Sequence, residues 1–393
     1  MSVTSVPQSL TPSAVSRARD EVSAKKASIP WSIWLMASGI AMGLTGGSWD
    51  FAWHMSIGRE RFWTLPHMMV QSAALFVAVA SIHQIVTARD RETTVGVFGL
   101  RAPAGSFLAL WGSVAMIASA PFDNWWHNAY GLDVQVATPP HGLLSIGFFA
   151  TQVGAMTLLA SLIHRSTGAL RARMVRLLLA IGSISVVLMT VLIMPATVRM
   201  YMHSAVCYLA VALVIPIVMI AVGQASLHKW GCTMIGLGYT ALGLAAEWLW
   251  PLVPARPKLG PVYHDITHLI PLQFPLLLIV PAVVADVILQ RTGSRSAWLK
   301  ALCVGPAFVL SYLAAQWPFA SFLNTPAARN WIFGTGYFSY FDPAGFQYDP
   351  YQFRQVEHTA SAFAITLAWA FVASILTTRV GLGWGSWMRR VQR

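Results

Sequence analysis

Apolar residues run along this chain in stretches close to 20 residues long, broken by short polar connections. A bilayer core about 30 Å thick needs roughly 20 apolar residues in a helix, so the pattern predicts transmembrane helices. Ten spans are expected, at 31–49, 66–87, 104–120, 141–163, 174–195, 201–223, 231–250, 266–289, 299–317 and 358–378. The expected fold class is therefore all-α, a polytopic helical bundle forming one integral membrane domain over residues 30–393. Residues 1–29 are polar and Ser-rich and carry Arg17, Arg19, Lys25 and Lys26, which predicts a disordered cytoplasmic tail rather than a cleaved signal peptide. Residues 318–357 interrupt the apolar pattern with a loop rich in aromatics, including Trp331, Phe333, Tyr337, Phe338, Tyr340 and Phe341. That loop is expected to pack over helix ends as a lid, or to anchor at the membrane interface.

Composition agrees with the pattern. Hydrophobic residues make up 56% of the 393 positions and charged residues 10%, against roughly 25% charged in soluble domains. The net charge of +12 does not point to nucleic acid, because the basic residues lie in short connections between apolar runs. Numbered alternately, one set of connections and termini holds all but seven of the 26 Lys and Arg; the seven are Arg59, Arg61, Arg199, Arg256, Lys258, Arg329 and Arg354. That bias predicts both termini in the cytoplasm and a location in the inner (plasma) membrane. Cys207, Cys232 and Cys303 sit in apolar runs without CxxC spacing and read as small buried residues.

Charge placement brings the chemistry into view. Eight of the 11 His fall at the outer ends of the expected spans: His54, His67, His127, His141, His203, His264, His268 and His358. Asp50, Asp123, Glu247, Asp265 and Glu357 join them there, whereas His83, His164 and His228 lie on the inner side. Ionisable groups at membrane depth are costly and mark functional sites.

Two of these sets repeat. Asp50 and His54 stand four apart, and His67 follows directly after Pro66. Asp123 and His127 stand four apart, and His141 follows Pro140. Residues four apart share a helix face, and Pro suits the first turn of a helix. The expected geometry is a helix end, a short loop and a helix start, bringing three ligand-type side chains together. Imidazole and carboxylate together suit zinc, copper or iron, and three protein ligands leave a position open for chemistry. Asp50, His54 and His67 are thus candidate catalytic metal ligands, and Asp123, His127 and His141 candidate ligands of a second ion. The alternative for each is a structural Asp–His hydrogen bond at a helix end. His264 and His268, also four apart, are further candidates as ligands or a proton relay. His203, His358 and Glu247 are weaker ones, better explained as satisfied polar residues. No Walker loop, dinucleotide fingerprint or Gly-x-Ser-x-Gly elbow is present.

Over about residues 30–200, the stretches Asp50 to His67 and Asp123 to His141 resemble the C subunit of the copper membrane monooxygenases, the particulate methane and ammonia monooxygenases. The resemblance implies copper at Asp50, His54 and His67, and at the second trio, where Asp123 stands in the place of that family's Asn. It implies an enzyme, or a subunit of one, that uses O₂ to oxidise a small apolar substrate at the outer membrane face. Electrons would come from a donor such as quinol, with other subunits as possible partners. Iron or zinc remains open as the metal. A non-catalytic copper-binding protein for assembly, storage or transport is the alternative, as is a structural subunit. Residues 201–393 have no assignment from the resemblance; their His264, His268 and His358 either complete the site or are unrelated.

Overall fold

The computed structural model describes residues 28–58, 63–88, 90–131, 138–342 and 349–391. The expected tail 1–27 and the motif residues Arg59, Arg61 and Phe62 lie outside the described residues. Most of the described residues are helical. In order come α1 (Trp31–Ser56), α2 (Leu65–Thr87), a hairpin of β1 (Val95–Val97) and β2 (Leu100–Ala102), α3 (Ala104–Tyr130), α4 (Pro139–His164) and α5 (Gly168–Leu192). They are followed by the short α6 (Met194–Thr197), α7 (Ala205–Ser226), α8 (Gly231–Leu249), α9 (Ile279–Thr292), α10 (Ala297–Leu323) and α11 (Ala360–Met388).

Among the described residues seven helices, α2, α3, α4, α5, α7, α10 and α11, are long and apolar enough to cross a membrane. The chain is therefore a multi-pass membrane protein, although ten spans are not demonstrated. α1 and α8 pack within the same bundle without meeting that test, α1 because Thr, Gly, Ser and Asp interrupt its C-terminal half.

The expected span at 266–289 takes a different form. Helix occupies only Ile279–Thr292, about 21 Å at 1.5 Å per residue, too short to cross a bilayer alone. The preceding residues 254–278 are almost entirely without helix. Pro271 and Pro275 account for this, since each removes a backbone donor and clashes with a preceding helical turn. Irregular backbone inside an apolar bundle needs its polar groups satisfied by protein. Here Ile270 N–H donates to Ser56 Oγ (2.6 Å), Leu276 N–H to the Tyr239 hydroxyl (3.0 Å) and Leu277 N–H to Gln316 Oε1 (2.9 Å).

Consecutive helices α1 to α4 pack as antiparallel neighbours, with α2 against both α1 and α3. α5 touches α4, α7 and α8, and α11 lies along α7. One apolar core of buried Leu, Ile, Val, Met and Ala runs through all of them. α3 and α4 approach most closely through glycine. A Cβ on Gly112 would stand 2.6 Å from Gly147 O, and one on Gly154 would stand 2.6 Å from Ala109 N. Small residues that admit close backbone approach are the usual adhesive between helices in lipid. That contact fixes the ends of α3 and α4, where three of the candidate ligands lie.

Candidate metal centre

The antiparallel order puts the C-terminal ends of α1 and α3 beside the N-terminal ends of α2 and α4. Asp50 and His54 occupy the last two turns of α1, and His67 the first turn of α2. Asp123 and His127 occupy the last two turns of α3, and His141 the first turn of α4. Pro66 and Pro139 sit in the first turns of α2 and α4, where a missing N–H leaves no helical bond unmade.

The two helix ends repeat further than the ligands. Gly58 follows His54 by four residues, as Gly131 follows His127, and both have φ +90°. Glycine reaches that conformation without the penalty other residues meet. Each glycine ends its helix with its N–H returned to a carbonyl: Gly58 to Trp53 (3.2 Å), Gly131 to His127 (3.0 Å). These two glycines belong to the motif. The signal was present in the sequence as a matched interval, Asp, His and Gly each four apart.

In the first trio His67 Nε2 lies 3.0 Å and His54 Nε2 3.6 Å from Asp50 Oδ1. The three donor atoms all fall within 4.8 Å of one another, enough to hold a metal ion. Two ligands about 2.1 Å from a shared tetrahedral ion stand roughly 3.4 Å apart, and the observed separations bracket that value. Asp50 Oδ1 is buried between the two imidazoles, and among the described residues neither contact has good hydrogen-bond geometry. A cation shared among the three groups would satisfy that oxygen.

In the second trio Asp123 Oδ1 lies 3.1 Å from His127 Nε2 and 3.6 Å from His141 Nε2. Asp123 and His127 are buried, more deeply than the first trio. His127 Nδ1 stands 3.2 Å from Gly131 O. A proton on Nδ1 donated to that carbonyl leaves the Nε2 lone pair facing a carboxylate oxygen, and a proton or a metal ion must lie between them. The carboxylate is the common neighbour of both imidazoles; among the described residues the first trio is the set whose three donors all converge within 4.8 Å.

The trios adjoin. A small cavity of about 70 Å³ is walled by Asp50 and His67 from one and by Asp123 and His141 from the other. A second cavity of about 830 Å³ also reaches both, through Asp50, His54 and His141, and extends between α1, α4, α5, α8 and the non-helical segment.

The remaining candidates stand apart from the trios. His264 and His268 are not on a helix, so their spacing of four does not place them on one face; they lie in the irregular segment. His264 stacks on Phe338 and His268 meets Tyr337 edge-on. His203 is sandwiched between Trp317 and Phe353, ring centroids 4.1 and 3.6 Å away, and its Nε2 is 3.1 Å from Trp317 O. His358 is exposed. Its neighbour Glu357 accepts from Val206 N–H (2.8 Å) in the first turn of α7. Glu247, at the end of α8, is buried with its carboxyl against Gly334, and Oε2 has no hydrogen-bond partner among the described residues.

The aromatic loop does cover helix ends. Tyr340 N–H donates to Met55 O (3.2 Å), and Tyr340 O accepts from Tyr263 N–H (2.7 Å). Ala52, Ile57, Ala255 and Leu269 form a buried cluster under Trp49, Trp53 and Trp250. The end of α1 that carries Asp50 and His54 is thereby clamped by residues from the second half of the chain.

No family model matches this chain, and neither a curated protein nor a solved structure matches it.

Proposed function

We propose that this chain is a copper-dependent membrane monooxygenase, or the metal-bearing subunit of one, acting in the plasma membrane with its trios toward the outer side. The observation that carries the reading is the convergence of Asp50, His54 and His67, the first two of them in the wall of a large cavity, with a second carboxylate–imidazole trio next to it. Two imidazoles and one carboxylate suit copper and leave coordination open, with iron and zinc the competing ions. Copper bound there supplies the one-electron chemistry through which O₂ is activated.

The chain's own part is positional. α1 and α2 hold the three ligands in one small volume, and Gly58 turns the chain away so that α2 can begin alongside. His54 and Asp50 face the cavity, so a molecule inside it meets the open side of the trio. Trp49, Trp53 and Trp250 pack around the end of α1 and exclude water from that side. The overall reaction takes O₂, two electrons, two protons and a substrate C–H, and gives an alcohol and water. The electrons and protons come from a quinol-class donor dissolved in the membrane. Basic residues concentrated in one set of connections support the orientation.

The test is oxygen uptake by copper-loaded protein in lipid, with a soluble quinol as reductant. The proposal predicts quinol-dependent uptake that His54→Ala abolishes. Metal bound by the wild type without uptake would instead indicate a storage or assembly protein.

A further inference from the structure

Resting on that reading, we infer that the substrate is a membrane-dissolved hydrocarbon chain of lipid size, bound in the large cavity against Asp50 and His54. The cavity's volume and the placement of its polar atoms both favour such a substrate. The cavity is about 830 Å³, near the upper end of the roughly 300–1,000 Å³ of pockets that enclose whole organic ligands. At about 30 Å³ per heavy atom, the share one water takes in the liquid, it accommodates on the order of twenty-odd heavy atoms. A substrate of one to four heavy atoms would be unheld there.

The wall offers almost no polar recognition away from the trios. Leu44, Phe148, Val187, Leu242, Leu249 and Phe274 supply much of it. Several of the polar groups it contains are turned to partners. Thr45 and Thr190 donate to Ala41 O and Val187 O in their own helices. Ser48 accepts from Trp250 Nε1 (2.8 Å), Tyr239 from Leu276 N–H, and Gln273 Nε2 donates to Thr197 O (3.0 Å). Ligand-type groups also belong to the wall: Asp50, His54 and His141, with Ser145 one turn beyond His141. A largely apolar cavity with ligand-type groups on part of its wall selects by size and shape, and a hydrocarbon held in it meets Asp50 and His54.

The experiment uses the full chain in lipid nanodiscs and an alkyl diazirine of about twenty carbons, sized by the same volume share. After photolysis, labelled peptides are mapped in wild type, Ala246→Trp and Leu242→Trp, both of which put bulk into the cavity wall. Bound metal is counted in the same samples. The inference predicts label on α5, α8 and residues 272–276, displaced by excess unlabelled long-chain alkane but not by a four-carbon alkane. It predicts several-fold less label in both variants, with metal content unchanged. Label confined to lipid-facing positions such as Trp111, Ile146 and Trp369, undiminished by either variant, would overturn it. If the variants do not fold, the positions labelled in the wild type and the two competitions decide alone. Loss of the oxygenase reading is seen separately, as absent metal or oxygen uptake, and leaves the labelling outcome intact.

Discussion

At the scale of single residues, the two Asp–His pairs owe their geometry to a helix turn and their third ligand to a proline-led helix start. Asp123 is the informative member of its trio. Its Oδ1 is shared between His127 and His141, so Asp123→Asn removes the charge that draws both imidazoles and any cation between them. Altering even groups that only orient ligands costs about 10- to 100-fold in metal affinity. A competition titration with a chromogenic chelator should show at least that loss at the second site, with the first site unmoved. Gly131 gives a second residue-scale prediction. None of the described residues stands near its missing Cβ, yet its φ of +90° strains any other residue. Gly131→Ala should destabilise by about 1–2 kcal/mol, read as a lower midpoint in thermal unfolding.

At the scale of elements, the α3–α4 crossing and the non-helical segment hold the centre together. Gly112 lies where Gly147 O and Thr151 N leave no room for a side chain. Gly112→Leu should push α3 from α4, separate His141 from Asp123 and cost the second site its ion, while Asp50, His54 and His67 keep theirs. Metal content per chain after gel filtration checks this. Ser56→Ala tests the clamp on α1. It leaves the Ile270 N–H without its 2.6 Å acceptor in a buried setting, at a cost of roughly 1–3 kcal/mol. The midpoint should fall, and amide exchange around residues 266–270 should quicken before exchange in α4 does.

The same elements show what a sequence can and cannot reveal. The trios were legible because their information is local: an interval of four, a Pro, an apolar run. The helices were legible for the same reason, to within a turn or so at most ends. Residues 266–289 were not, because apolar content alone cannot tell a helix from buried extended chain, and the spacing of Pro271 and Pro275 outweighs it. The large cavity was not legible either. Its wall joins α1, α4, α5, α8 and Tyr340, residues hundreds of positions apart. The spacing of His264 and His268 suggested a shared face that exists only on a helix, and none forms there.

At the scale of the whole molecule, the first four helices carry the ligands, and the second half closes over them. Binding of an ion to the folded chain alone should stabilise it by mass action, by about 2.7 kcal/mol at a hundredfold excess over the dissociation constant. The account stands on two ions held by two trios. The direct measurement is the number of metal ions per chain, by inductively coupled plasma mass spectrometry, in wild type, His54→Ala and His127→Ala purified in lipid and loaded with copper. The account predicts two ions in the wild type and the loss of a different one in each variant. A wild type that holds none, or variants that hold as many as the wild type, would contradict it.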